Sequence, residues 1–74
     1  MRISKEKLGA NIRAMREARG MSMEELEERM YATKDYVCKA EAGKRIVTVK
    51  ALMAFCDALD TNPNELLEGV CAEE

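Results

Sequence analysis

The 74-residue chain contains no histidine, and its three cysteines, Cys38, Cys56 and Cys71, form no CxxC pair. Zinc-ligand spacings are therefore absent, and an odd thiol count argues against a secreted disulfide framework. There is no histidine, no nucleophile–base pair and no metal spacing, and so short a chain builds no roomy pocket, so the expectation is a protein that is not an enzyme and holds no metal or cofactor. The side chains left to do chemistry are cations and their hydrogen-bonding neighbours. Thr33, Lys34, Asp35, Cys38 and Lys39 lie close together, and Lys44 and Arg45 follow. Lysine can donate to guanine O6 and N7, aspartate can accept from cytosine N4, and lysine and arginine displace counterions from phosphates. The same residue types occur on any solvated helix face, so the scaffold that presents them decides the matter.

Charge is segregated along the chain. The net formal charge is −2, which by itself counts against a nucleic-acid partner. Residues 1–20 carry net +4, residues 21–28 net −4, residues 29–50 net +4 and residues 51–74 net −6. Screening at physiological salt acts over about 8 Å, so a basic face can steer an anion despite an acidic back.

The scaffold reads as all-α. Ala, Leu, Met, Glu, Lys and Arg dominate, and aromatics are few, at Tyr31, Tyr36 and Phe55. Over residues 5–19, Leu8, Ile12 and Met15 recur on one helical face, with Ser4 as cap and Gly20 past the end. Ser22-Met23-Glu24-Glu25 has the form of a capping box and opens a second helix with Leu26 and Met30 on its apolar face. Thr33 is expected to cap a third helix over about 33–42, with Val37 and Ala40 inward and Gly43 as its stop. Lys34 and Cys38 then fall on the opposite side. Thr48 caps a fourth, lined by Val49, Leu52, Phe55, Cys56 and Leu59. Asn62-Pro63-Asn64-Glu65 combines a cap, a proline at N1 and a glutamate at N3, opening a fifth with Leu66 and Leu67. One domain over residues 1–69 is expected, with Val70–Glu74 as a short frayed acidic tail. The N-terminus shows no apolar signal-peptide core, and no apolar run approaches the ~20 residues that span a bilayer, so a cytoplasmic protein without membrane contact is expected.

The runs LGANIRAMREARGMS, EEL and TKDYVCKAEAGKR, followed by the spaced L, F, AL and ELL, resemble the Cro/CI-like (XRE) helix-turn-helix domains of phage repressors and bacterial regulators. The likeness spans about residues 8–68. It implies a five-helix, lambda-repressor-like domain whose third helix enters the major groove of double-stranded DNA. Carried over position by position, it implies an ion pair between Arg16 and Glu41. It implies base contacts from Thr33, Lys34, Asp35, Cys38 and Lys39, and phosphate contacts from Arg13, Ser22, Lys44 and Arg45. Lys50 is a weaker phosphate candidate.

Four positions depart from the family pattern. Met23 stands where glutamine usually contacts DNA, Glu27 where a small residue is usual, Tyr31 where glycine usually makes the turn, and Val47 where proline is frequent. A carboxylate at 27 needs a partner in a tight helix contact, and Tyr31 would be strained at positive φ. Glu24, Glu25, Glu27 and Glu28 are expected to sit near the DNA backbone; Glu24 and Glu25 match acids that the family tolerates, while Glu27 and Glu28 add repulsion, so binding is expected to be weak and strongly salt-dependent unless a dimer doubles the contacts. The expected function is a sequence-specific transcriptional regulator, a repressor acting as a homodimer, with no small-molecule effector domain; the surface around helix five (Leu66, Leu67 and Val70) is the expected dimer contact, with core packing as the competing use of those leucines. The alternative is a helix-turn-helix protein-interaction module, antitoxin-like or a phage adaptor, with weakened DNA binding.

Overall fold

A computed structural model describes residues 2–72. In chain order the elements are β1 (Arg2–Ile3), α1 (Lys5–Ala18), α2 (Met23–Met30), α3 (Tyr36–Glu41), α4 (Val49–Leu59), α5 (Pro63–Leu66) and β2 (Cys71–Ala72). Five helices carry the fold, and the two-residue strands pair antiparallel, Arg2 with Ala72 and Ile3 with Cys71.

Local chemistry sets most helix starts. The side chains of Ser4, Ser22, Thr48 and Asn62 accept from the backbone N–H groups of Lys7, Glu25, Ala51 and Glu65, respectively. Each satisfies a donor that has no partner within its own helix. Leu8, Ile12, Leu26, Val37, Phe55, Leu59, Leu66 and Val70 are buried in one core shared by all five helices. Tyr36 stacks on Phe55 with ring centroids 6.0 Å apart. Gly9 sits inside α1 rather than between helices. A Cβ there would run into the carbonyl oxygen of Glu41 and come within 2.6 Å of that of Ala40. Its missing side chain lets α1 lie directly against the end of α3.

Four expectations need correction. The third helix begins at Tyr36, not Thr33, and is six residues long. Thr33 contributes only its carbonyl, to the N–H of Tyr36, while the cap position falls to Asp35 at φ 69°, whose side chain makes no capping bond. Val49 points to solvent and is 77% exposed, because the core side of α4 is met by Phe55, Cys56 and Leu59. Val70 does not fray. It is fully buried, its carbonyl accepts from Ser4 N–H at 2.9 Å, and Cys71–Ala72 then pair with β1. Residues 73 and 74 of the expected tail lie outside the described residues. Leu66, with Val70, is core rather than a surface for a second subunit.

Among the described residues no helix is long and apolar enough to cross a membrane. No group of three potential metal ligands occurs among them.

Candidate nucleic-acid interface

The helix pair α2 and α3 meets at the turn over residues 31–35. Tyr31 ends α2 in the left-handed region, φ 56° and ψ 36°, with its side chain almost wholly in solvent. Asp35 repeats that conformation just before α3. Both positions are ones where glycine avoids a steric cost and a bulky residue does not.

The far end of α3 is braced from α1. Arg16 Nε donates to Glu41 Oε2 at 2.7 Å and Nη2 to Oε1 at 3.2 Å, a bidentate pair. A third bond runs from Arg16 Nη1 to the carbonyl of Met21 at 2.8 Å. The two charged side chains are 10% and 4% exposed. Its hydrogen bond to Glu41 holds the Arg16 guanidinium pKa above its ordinary value.

The near end of α3 is held from α2. Glu27 is buried, and its Oε2 accepts from the backbone N–H of Val37 at 3.2 Å. The expectation that Glu27 lies toward the DNA backbone is therefore replaced. Its charge points inward, at the positive end of α3.

Between these two anchors, Cys38 and Lys39 are exposed on α3, and Thr33, Lys34 and Asp35 are exposed in the turn before it. These five side chains thus share one region around the start of α3, though three of them precede the helix. Lys44 and Arg45 are exposed in the loop that follows. The Arg45 guanidinium lies 5.2 Å from the centre of the Tyr36 ring, a stacking geometry that limits where the charge can point. Burial pushes the Tyr36 phenol above its ordinary pKa, and Arg45 opposes that shift. Ser22 is exposed but its hydroxyl oxygen is used as the α2 cap. Arg13 is exposed on α1 and pairs with Glu17 at 3.2 Å. Lys50 is exposed near the start of α4, beside a cleft of about 330 Å³ lined by Tyr31, Thr33, Tyr36 and Thr48.

Residues 7–68 match the family described as the helix-turn-helix domain. The chain belongs to that family. The helix-turn-helix unit here is α2, the turn at 31–35, and α3. Among solved structures, the restriction-modification controller protein C.AhdI from Aeromonas hydrophila is similar at 34% identity and a TM-score of 0.81, over 84% of this chain and 94% of that one. The clp gene regulator ClgR from C. glutamicum is 27% identical over the whole of both chains, with a TM-score of 0.85. The DNA-binding domain of BldD is 33% identical over 86% of this chain and 93% of that one, with a TM-score of 0.77. Sequence comparison with curated proteins finds no match.

Three features of this domain are not legible in the sequence. Glu27 reaches a partner ten positions away, Arg45 stacks on Tyr36, and Asn11 of α1 donates to the carbonyls of Leu66 and Glu68, both at 2.9 Å. Glu27 was detectable as a charge in an apolar slot, but its partner was not.

Proposed function

We propose that α3 docks in the major groove of double-stranded DNA and that the protein represses transcription as a homodimer. The chain is a DNA-binding transcriptional regulator of helix-turn-helix type. The observation that carries the groove reading is the exposed set Thr33, Lys34, Asp35, Cys38 and Lys39, presented by a helix anchored at both ends. In this reading Lys34 and Lys39 donate to guanine edges and Asp35 accepts from cytosine. Lys44 and Arg45 engage phosphates on one side, and Arg13 with the N-terminus of α2 at Ser22 engages them on the other. A second copy joins through Ile46, Val49 and Met53, which are 72%, 77% and 53% exposed. Each leaves apolar surface wet in the monomer, which a second copy would cover. Two-fold symmetry then sets half-sites about 34 Å apart.

The test is fluorescence anisotropy against the duplex upstream of the gene, repeated across salt concentrations. Binding with a steep negative slope of log K on log salt is expected. Lys34→Ala with Lys39→Ala should abolish discrimination between this duplex and a scrambled one. Lys44→Ala should weaken both alike and reduce the slope by about one per protomer. Absence of binding to either duplex at low salt overturns the reading and favours a protein-interaction role.

A further inference from the structure

We propose that the Glu27 carboxylate, reaching from α2 to the N-terminus of α3, is a positioning residue that fixes the pitch of the recognition helix and thereby sets its affinity for specific DNA. The proposal rests on the DNA-binding reading above.

The start of α3 lacks the local cap that the other four helices have. Asp35 occupies the cap position without a side-chain bond. The N–H of Tyr36 finds only the carbonyl of Thr33, at 3.2 Å. The next donor, Val37 N–H, belongs to a fully buried residue, which water does not reach. Glu27 Oε2 is its partner. The same residue holds the opposite end of the turn, because the Glu27 carbonyl accepts from Ala32 N–H at 2.9 Å. Glu27 thus grips both sides of a turn that contains two non-glycine residues at positive φ, Tyr31 and Asp35. Such backbone conformations persist only where their surroundings impose them. A carboxylate on a helix N-terminus gains from charge-assisted bonding and from the helix dipole. Lys34, Cys38 and Lys39 ride on the backbone that this bond secures. With Arg16–Glu41 fixing the other end, α3 has two anchors, and Glu27 is the one nearer the groove-reading residues.

The sign of the effect separates this role from simple charge. If Glu27 only repelled phosphates, its neutralisation would tighten binding. As a clamp, its neutralisation loosens binding. Glu28 is the control, an exposed neighbour of equal charge with no place in the clamp. The experiment uses the full chain, a duplex that the wild-type protein selects from a randomised library, and a scrambled duplex. Glu27→Gln keeps the size of the side chain and replaces a charge-assisted bond by a neutral one. It is expected to speed hydrogen exchange at the Val37 amide about fivefold and to weaken binding to the selected duplex about fivefold. Affinity for the scrambled duplex should stay within about twofold. Glu28→Gln should leave Val37 exchange unchanged and bind both duplexes as tightly as wild type or tighter. Far-UV circular dichroism at the working temperature shows whether Glu27→Gln is folded. If it is not, Glu27→Asp, which keeps the charge but falls a methylene short of Val37, takes its place with the same expectations. Unchanged Val37 exchange in Glu27→Gln overturns the clamp. Faster exchange with unaltered or tighter specific binding overturns the positioning role. If wild type selects no duplex, the DNA-binding reading fails instead, and the clamp stands or falls on Val37 exchange.

Discussion

Replacing Arg16 by methionine removes the cation of a buried, bidentate ion pair while keeping an apolar stem of similar reach. Glu41, with its side chain 4% exposed, would then hold a charge with no counterion, and the Met21 carbonyl would lose its guanidinium donor. Breaking a buried pair from one side costs about 3–5 kcal/mol. A domain of this size has only about 4–11 kcal/mol of stability, taking ~0.05–0.15 kcal/mol per residue. Arg16→Met should therefore lose between about a quarter and all of that stability. The second half of the cycle is Glu41→Leu. The double variant leaves neither charge buried, and such apolar replacements are often neutral. It should recover most of the loss, so the coupling should be at least about 3 kcal/mol. Urea unfolding followed by far-UV circular dichroism measures all four corners of the cycle. High salt should change the coupling little, because the pair is shielded from solvent ions. Additive single losses of about 1 kcal/mol or less, the behaviour of an exposed pair, would refute the view that this brace holds α1 to α3.

Four further outcomes follow from single features. Gly9→Ala should destabilise by about 1–3 kcal/mol, opposite in sign to helix propensity, because the added carbon meets the carbonyls of Ala40 and Glu41; thermal melts decide it. Tyr31→Gly should raise stability by about 0.5–1 kcal/mol by relieving a left-handed tyrosine whose side chain is 97% exposed, and an unchanged melting temperature would count against that strain. Burial pushes the Cys56 thiol and the Tyr36 phenol above their ordinary values of 9.0 and 10.0. Folding therefore retains protons that the unfolded chain releases, and stability should be full below about pH 9 and decline as pH rises through and beyond 10, seen in urea midpoints across pH. A thiol reagent under native conditions should label exposed Cys38 rapidly and buried Cys56 only on the timescale of opening; equal rates would contradict the core position of Cys56.

What the sequence made legible was whatever is encoded within a few neighbouring residues. Ser4, Ser22, Thr48 and Asn62 each cap a donor three positions ahead, so four helix starts could be read from type and spacing. The core positions Leu8, Ile12, Leu26, Val37 and Leu59 follow helical periodicity in the same way. The start of α3 was misread for the complementary reason. Thr33 has the right type for a cap, but the helix takes its capping oxygen from Glu27 instead. The tail was misread because its order comes from residues about 70 positions away, through Ser4 and β1. Gly9 carries no local sign of its role, because the contact it permits is with the carbonyls of α3.

The same distinction bears on the acidity of α2. Read along the chain, its four glutamates fall near an anionic ligand, and Glu27 and Glu28 are the two expected to add repulsion. In the fold they are not equivalent. Glu24 and Glu25 lie in the first turn of α2, where the helix dipole favours them, and Glu25 also comes within 4.0 Å of Arg29. Glu27 is turned inward onto the N-terminus of α3. Glu28 alone of the four is exposed without any such compensation among the described residues. Screening within about 8 Å then sets what a phosphate feels. Beside the turn, that is Lys34 and Lys39 on one side and Lys44 and Arg45 after α3, with Asp35 in the turn itself and one uncompensated α2 carboxylate rather than four. Of the two carboxylates expected to add repulsion, the fold leaves only Glu28 to do so, because Glu27 is committed to the start of α3.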